Sequence, residues 1–360
     1  MRHMVTIVAL GLAAAGCGSN SAGSQGQGGA DGGGGSTADG GAPGADGGAP
    51  GADGGGPRPD GNTAVTDPGT VGPTGWDQSS VSIDINGETI PLTVYVPRTA
   101  GSHPAVVFTH GFMLAPSDYA SYGEHLASWD YVVVMPKLPG DVLSQKTHRA
   151  LADLLIGVLD WIDTAAADQG SLLGGLVDTA RIGLAGHSMG GKLSLLVAAG
   201  DDRPKAVFGV DPVDTGSPLG GDPADYPSVT PELMPQISAP LALLGETVNG
   251  SAGLGQACAP ADNNFQQYYA AAESPAIQIE VVGANHMSFL DDPNCGFTCS
   301  VCPAGSDDPT VTRTLTQRYM TAFFETRLRG DARYGIYLTG APMQADIDAG
   351  LVLVEDKNGF

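Results

Sequence analysis

The residues with the clearest capacity for chemistry lie in the hexapeptide Gly-His-Ser-Met-Gly-Gly at positions 186–191. A serine in the pattern Gly-x-Ser-x-Gly is typical of a nucleophile on a sharp turn between a strand and a helix. An apolar run at 181–185 precedes the hexapeptide and a helical pattern at 192–199 follows it, so both elements are predicted. The Ser188 hydroxyl is therefore expected to attack a carbonyl carbon once a base has taken its proton.

The base is predicted to be His286. It is the only one of the seven histidines that follows Ser188 in the chain, and it comes directly after an apolar strand pattern at 277–282. Nucleophile first, acid between and histidine last is the chain order of one class of serine hydrolases. The earlier His3, His103, His125 and His148 are interpreted as structural or solvated residues, with His110 ordering its own loop.

Two carboxylates at predicted strand ends could orient the histidine. Asp211 follows the apolar run 207–210, and Glu246 follows 241–245. Both precede His286, so chain order does not choose between them. Pro212 fixes its own φ and biases Asp211 towards extended backbone, which predicts a stiff turn. Asp211 is therefore the predicted acid and Glu246 the alternative, while Asp214 is a weaker candidate.

A developing oxyanion needs two N–H donors. The backbone of Met189, directly after the serine, is predicted to supply one, and Phe112, in the loop after an apolar strand at 105–109, the other. Apolar side chains near these positions could line a substrate cleft. Besides Phe112 and Met189, the predicted cleft residues are Met113, Leu114, Met287 and Phe289.

The elements that would carry these residues alternate between strand and helix. An Asn-Gly turn at 86–87 joins two strand patterns, and further strands are predicted at 131–135, 206–210 and 241–244. A strongly amphipathic helix is predicted at 147–166, and further helices are predicted at 265–272 and 311–328. This order indicates an α/β protein with a mostly parallel central sheet flanked by helices. The candidate residues all follow strands, where such sheets bind ligands.

The N-terminal quarter of the chain has a different composition. Residues 1–17 are predicted to be an export signal of the lipoprotein type, because a basic start and a short apolar run lead to small residues before Cys17. Lipidation at Cys17 is the expectation, and ordinary secretion is the alternative. Residues 18–75, rich in Gly, Ala and Asp, are predicted to be a flexible linker. The catalytic domain is then 76–340, with a C-terminal tail at 341–360.

Charge and cysteine content restrict the partners and the compartment. With 39 acidic and 16 basic residues the net charge is −23, and no basic stripe favours nucleic acid. The four cysteines after Cys17 are predicted to form two disulfides in an exported protein, with their connectivity left open. They are Cys258, Cys295, Cys299 and Cys302.

Several segments together resemble plant chlorophyllases, in order and at similar spacing. They are His110-Gly111-Phe112, Gly186–Lys192, Gly209–Asp214, Cys258-Ala259-Pro260 and His286–Asp292. The resemblance implies an α/β-hydrolase fold and makes Asp211, the first aspartate of Asp-Pro-Val-Asp, the acid. That family usually has Arg after the serine. Met189, with an aromatic residue after His-Gly, is similar to bacterial cutinases and polyester hydrolases.

The predicted function is hydrolysis of hydrophobic carboxylic esters by a serine esterase through an acyl-enzyme. The alternatives are acyl transfer or peptide cleavage on the same triad, or a surface-binding protein that has lost catalysis. No metal or cofactor is expected. The expected partners are small-molecule or polymeric esters met outside the cell, with membrane contact only through a lipid at Cys17, and the protein is expected to be a monomer.

Overall fold

A computed structural model describes residues 65–140, 144–216, 221–248, 257–300 and 302–360. The predicted signal, the lipidation site Cys17 and most of the predicted linker lie outside this part of the chain. No helix within it has the length and the apolar character needed to cross a membrane.

Strands and helices alternate along most of the described chain. The strands are β1 (Trp76–Ile85), β2 (Glu88–Pro97), β3 (His103–Thr109), β4 (Val132–Pro136), β5 (Val177–His187), β6 (Pro204–Val210), β7 (Leu241–Glu246), β8 (Ala276–Val281) and β9 (Val352–Lys357). The helices are α1 (Ala120–Ser128), α2 (His148–Ala167), α3 (Met189–Ala198), α4 (Phe265–Ala271), α5 (Phe297–Ser300), α6 (Pro309–Arg327), α7 (Ile336–Thr339) and α8 (Ala341–Asp348).

The strands form one sheet in the order β1-β2-β4-β3-β5-β6-β7-β8-β9 within the described residues. The contiguous strands β4 to β8 in this order are mutually parallel, while β1, β2 and β9 add antiparallel pairs at the two sides. The predicted α/β-hydrolase fold is therefore confirmed. The carboxyl ends of β3, β5, β6 and β8 all point to one edge of the sheet, and this edge collects the candidate residues.

Helices cover both faces of the sheet. In β3 the side chains of Val107 and Val106 point to opposite faces, and each belongs to a separate buried apolar cluster. The α2 and α3 helices complete one cluster, and α1 and α6 complete the other. A strand buried on both faces must be apolar at every position, which is why the sequence around β3 is a continuous apolar run.

Residues 65–75, expected to belong to the linker, pack on the domain. The carboxylate of Asp67 accepts from Arg318 on α6 at 2.8 and 3.0 Å. Thr70 O accepts from the Trp129 indole N–H at 2.9 Å, and Thr74 N–H donates to Ser128 O at 3.1 Å. We call residues 65–75 the strap. Its composition is that of a linker, and long-range partners that composition does not show fix it in place.

Residues 341–360, expected to be a tail, form α8 and the ninth strand of the sheet. β9 pairs antiparallel with β8 from Val352 opposite Val281 to Lys357 opposite Ala276. Only Val352 of this strand is fully buried, because an edge strand shows most of its side chains to solvent. Only the first half of its short sequence is apolar, so it carries little of the apolar signal that identified the inner strands.

Two disulfides connect the loops around β8, as the even cysteine count predicted. Cys258 pairs with Cys302 across 44 residues, and Cys295 pairs with Cys299 across four. The first of them closes a loop that contains His286. Disulfides of this kind fit a protein that works outside the cytoplasm.

Candidate active site

Ser188 lies at the turn between β5 and α3, as the motif predicted. Its backbone has φ 55° and ψ −120°, a region that residues other than glycine rarely adopt. Hydrogen bonds on both sides hold this conformation: Ser188 N–H donates to Val210 O at 3.0 Å, and Lys192 N–H donates to Ser188 O at 3.1 Å. The strained serine is therefore tied to the end of β6.

The glycine after the motif serine allows α3 to begin against β3. A Cβ on Gly190 would lie 2.1 Å from Thr109 O and 2.6 Å from His110 O. No side chain can occupy that space, because both neighbours are backbone atoms. The close approach brings the start of α3 next to the loop that follows β3, and these are the two segments that carry Met189 and Phe112.

Ser188, His286 and Asp211 form one line of hydrogen bonds. The Ser188 hydroxyl lies 2.9 Å from His286 Nε2, and His286 Nδ1 lies 2.6 Å from Asp211 Oδ2. Asp211 is fully buried, His286 is nearly so, and Ser188 is half-buried. A neutral histidine that donates from Nδ1 to a carboxylate has its Nε2 free to accept the serine proton.

Asp211 occupies a position at the end of β6 that the sequence predicted, but its backbone differs from the expectation. Its φ is 42°, in the left-handed region rather than the extended one. The bias from Pro212 is overridden because Asp211 N–H donates to Leu244 O and Val213 N–H donates to Ser188 O. The turn therefore curls back towards the serine and presents the carboxylate to His286.

Burial shapes the electrostatics of this carboxylate. Removal from water raises the pKa of Asp211, and the hydrogen bond and charge of His286 oppose that rise. Asp211 Oδ1 has no hydrogen-bond partner among the described residues. His286 is therefore the principal group that compensates this buried carboxylate.

Glu246, the alternative acid, is also buried but is directed elsewhere. It ends β7, and its Oε2 accepts from the N–H of Val248 two residues later. His286 Nδ1 contacts Asp211 instead. Asp214, the weaker candidate, accepts from Val229 and Thr230 N–H groups and pairs with the buried Lys192 at 3.1 Å.

The loop that carries Phe112 is fixed by His110. His110 Nδ1 donates to Gly111 O at 2.8 Å, and its Nε2 accepts from Leu138 N–H at 3.0 Å. Burial lowers the pKa of His110, so the ring is neutral and can both donate and accept. Met189 is the first residue of α3, where N–H groups have no partner within the helix. Both predicted oxyanion donors thus lie on well-anchored backbone.

Only part of the predicted cleft is open. Phe112, Met113 and Met189 line a small pocket, of about 20 Å³, together with Leu138 and Tyr226. That space is close to the minimum that holds one water molecule. Met113 is 45% exposed and has a left-handed backbone, with φ 61°.

Met287 and Phe289 differ from the expectation, because both are buried in the core and neither lines this pocket. Phe289 packs against the ring of His187, with centroids 5.9 Å apart. Leu114 is half-buried against the same cluster. Leu114, Met287 and Phe289 lie in the same loops as Phe112 and His286. Their positions in the sequence therefore did not show whether their side chains face the core or the cleft.

Sequence reasoning missed Tyr119, whose hydroxyl lies 2.7 Å from His187 Nδ1. It also gave no role to Lys192, which is completely buried beside Asp214. The position of this lysine was a usable signal. The first turn of the helix after the serine was expected to pack against the sheet, and a lysine buried there needs a charged partner, because lysine is almost never fully buried without one. Tyr119 offered no comparable signal.

The family model for chlorophyllases matches residues 63–348 of this chain. The chain belongs to the chlorophyllase family. The match begins just before the strap and ends at the last residue of α8, so both segments fall inside the family's own extent. The resemblance seen in the motifs is thereby confirmed.

Two plant chlorophyllases are similar over most of their length. Chlorophyllase type 0 of Chenopodium album is 30% identical over 266 residues, which cover 68% of this chain and 73% of that protein. Chlorophyllase-1 of Arabidopsis thaliana is 28% identical over 263 residues, which cover 67% and 77%. Cutinase est2 of Thermobifida alba matches a shorter part: 31% identity over 120 residues, covering 33% of this chain and 38% of the cutinase.

These relatives are carboxylic-ester hydrolases, and this member of the chlorophyllase family is one as well. In this chain, Met189 follows the serine and helps to line the small pocket.

Proposed function

We propose that this chlorophyllase-family protein hydrolyses hydrophobic carboxylic esters with Ser188 as nucleophile, His286 as general base and Asp211 as the acid that orients it. The observation that supports this most is the line of contacts from Ser188 Oγ to His286 Nε2 and from His286 Nδ1 to Asp211 Oδ2, at 2.9 and 2.6 Å. Both distances are within direct hydrogen-bond reach.

In the first half of the reaction, Ser188 Oγ attacks the ester carbonyl while His286 Nε2 takes its proton. The carbonyl oxygen becomes negative and is stabilised by the N–H groups of Met189 and Phe112. The tetrahedral intermediate then collapses, the bond to the alcohol oxygen breaks, and His286 returns the proton to that oxygen. The acyl group remains on Ser188.

In the second half, His286 takes a proton from water, and the resulting hydroxide attacks the acyl carbon. Collapse of the second intermediate releases the carboxylic acid and restores the proton to Ser188. Asp211 remains a carboxylate throughout, because its contribution is to hold the ring and to stabilise the imidazolium.

The proposed substrates are apolar esters that bind along the lip formed by Phe112 and Met113. An exposed methionine beside an aromatic ring gives an adaptable apolar surface. The relatives are named for chlorophyll and cutin, which are respectively a small-molecule and a polymeric ester. Met189 resembles the cutinase pattern, so we favour esters encountered outside the cell. We further propose that Cys17 carries the lipid that anchors the protein at the cell envelope.

The test of this function is Ser188→Ala in an assay with short p-nitrophenyl esters and apolar polyesters. Loss of a triad nucleophile removes both steps, so we expect a drop of roughly 10³-fold or more in kcat. A fluorophosphonate probe should label the wild-type protein and should not label the variant. A folded Ser188→Ala protein that keeps most of its activity would contradict the assignment.

A further inference from the structure

A buried chain of hydrogen bonds runs behind the proposed triad. Gly111 N–H donates to Tyr119 Oη at 3.2 Å, the Tyr119 hydroxyl donates to His187 Nδ1 at 2.7 Å, and His187 Nε2–H donates to His286 O at 2.9 Å. Tyr119 and His187 are both fully buried. We call these two residues the Tyr119–His187 bridge.

Burial fixes the protons of the bridge. It raises the pKa of Tyr119 well above its ordinary value, so the phenol keeps its proton. It lowers the pKa of His187 well below the ordinary value, and the nearby His286 lowers it further, so the ring is neutral. Because the carbonyl of His286 only accepts, the single ring proton of His187 lies on Nε2, and Nδ1 accepts from Tyr119.

The packing around the bridge leaves little freedom. The His187 ring centroid lies 4.6 Å from that of His286 and 5.7 Å from that of Tyr119. A Cβ on Gly111 would lie only 3.2 Å from both His187 Nδ1 and Tyr119 Oη. A glycine at 111 therefore lets the loop approach closely enough for its N–H to reach the tyrosine.

We propose that Tyr119 and His187 are positioning residues for ester hydrolysis, which hold the Gly111–Phe112 backbone and the His286 backbone at a fixed separation. The proposal rests on the proposed function, because it concerns the oxyanion donor at Phe112 and the base at His286. These two groups come from loops more than 170 residues apart in the chain and must meet the same tetrahedral intermediate. Neither bridge residue touches the substrate.

The chemistry of the bridge suits this role. When His286 becomes an imidazolium, the neutral His187 ring adds no second positive charge beside it. A displacement of the base or of the donor weakens contacts that are strongest in the transition state. Loss of either bridge residue therefore lowers kcat more than it changes KM.

The first experiment compares Tyr119→Phe with Tyr131→Phe. Both changes remove one hydroxyl from a fully buried tyrosine, but Tyr131 donates to Glu325 and not to the bridge. We expect Tyr119→Phe to lower kcat by about 10- to 100-fold, up to the scale of a 1 Å misplacement. Its KM should stay within about twofold, and the Tyr131→Phe control should keep both constants within about twofold.

The second experiment divides the bridge at His187. In His187→Gln the new amide can still donate from near the position of Nε2, in His187→Asn it can still accept near the position of Nδ1, and His187→Leu allows neither bond. We expect the kcat values of His187→Gln and His187→Asn to lie between those of the wild type and His187→Leu. Adding Tyr119→Phe to His187→Leu should lower kcat by less than Tyr119→Phe does in the wild type, because the hydroxyl has already lost His187 and only its bond from Gly111 N–H remains to be removed.

Thermal unfolding verifies that each variant is folded at the assay temperature. If the His187 variants are not folded there, the comparison of Tyr119→Phe with Tyr131→Phe tests the bridge proposal by itself. An unchanged kcat, a rise in KM alone, or an equal loss of kcat in Tyr131→Phe would overturn the proposal. Ser188→Ala in the same assay distinguishes a failure of the bridge proposal from a failure of the proposed function. If it is inactive while Tyr119→Phe is fully active, only the bridge proposal fails; if it is active, the proposed function fails, and the bridge proposal with it.

Discussion

Ser188 and Asp211 share an unusual backbone conformation. Their φ angles are 55° and 42°, and neither residue is a glycine. Backbone of this kind costs on the order of 1–3 kcal/mol per residue and persists only where neighbouring contacts hold it. Here the bonds from Ser188 N–H to Val210 O and from Val213 N–H to Ser188 O connect the two turns. The strained backbone of the proposed nucleophile and that of the proposed acid thus support each other.

The identity of the acid can be decided by two matched amide substitutions. Asp211→Asn should lower kcat by around 10⁴-fold, the scale seen when a triad acid becomes an amide and the histidine takes the wrong tautomer. Glu246→Gln should cost far less, because His286 Nδ1 contacts Asp211. Both variants are measured by steady-state kinetics with one substrate. The reverse ranking would move the acid to the end of β7.

Single residues differ in how far the sequence could predict them. Ser188 could be selected as a candidate because its motif and the strand and helix around it are contiguous in the sequence. His286 could be selected because no other histidine follows the serine. Tyr119 could not be found this way, since its contact with His187 spans 68 residues and leaves no pattern in the sequence. The curled backbone of Asp211 was also hidden, because hydrogen bonds from neighbouring strands overrode the preference set by Pro212.

Among the elements, α6 carries a carboxylate whose titration should affect stability. Glu325 accepts from the Tyr131 hydroxyl on the neighbouring loop before β4 and pairs with Arg329 at 3.0 Å. The arginine alone would lower the pKa of Glu325, but burial outweighs it and raises the pKa from 4.5 to about 7. The ionised form is therefore poorly accommodated in the folded protein despite its partner.

This raised pKa predicts a pH dependence of unfolding. Between pH 4.5 and about 7 the unfolded chain has lost the Glu325 proton while the folded protein keeps it. The stability contributed by that proton is complete below pH 4.5 and is lost as pH rises through about 7. Urea unfolding of the wild type and of Glu325→Gln should show the wild type losing stability relative to the variant over this window. A constant difference would contradict the prediction.

The two disulfides should contribute unequally because their loops differ in length. In the chain-entropy description, a loop of 44 residues is worth roughly 4 kcal/mol and a loop of four roughly 2 kcal/mol. Cys258→Ser with Cys302→Ser should therefore lower the free energy of unfolding more than Cys295→Ser with Cys299→Ser. Activity should fall more as well, because the long loop contains His286. Equal losses would show that loop length does not govern these bonds.

The sequence predicted the inner elements well for a physical reason. Strands buried on both faces, such as β4, must be apolar throughout, and α2 must be apolar on one side, so both leave strong periodic signals. The edge strand β9 and the strap have no such requirement, because they show much of their surface to water. They are held by pairing partners and ion pairs from distant segments, which periodicity does not reveal.

For the whole molecule, the strap sets where the folded domain begins. A chain that starts at Val65 keeps the ion pair between Asp67 and Arg318, whereas a chain that starts at Trp76 loses it together with the contacts to Trp129 and Ser128. The longer chain should keep the melting temperature of the full-length protein. The shorter one should melt several degrees lower, since about 1 kcal/mol corresponds to a few degrees in a domain of this size. Equal melting temperatures would show that the strap is not part of the stable domain.

The strap also decides how the domain would respond to mechanical load. Among the described strands, β1 is at the edge of the sheet and pairs with β2 alone, so a pull applied at Trp76 would break its hydrogen bonds one after another. A pull applied through residues 1–64 would reach Asp67 before Trp76. The Asp67 carboxylate accepts hydrogen bonds from Nε and Nη2 of Arg318. Arg318 in turn is held by Asp346. Tension would therefore pass into α6 and α8, and the hydrogen bonds between β1 and β2 at the edge of the sheet would not bear it.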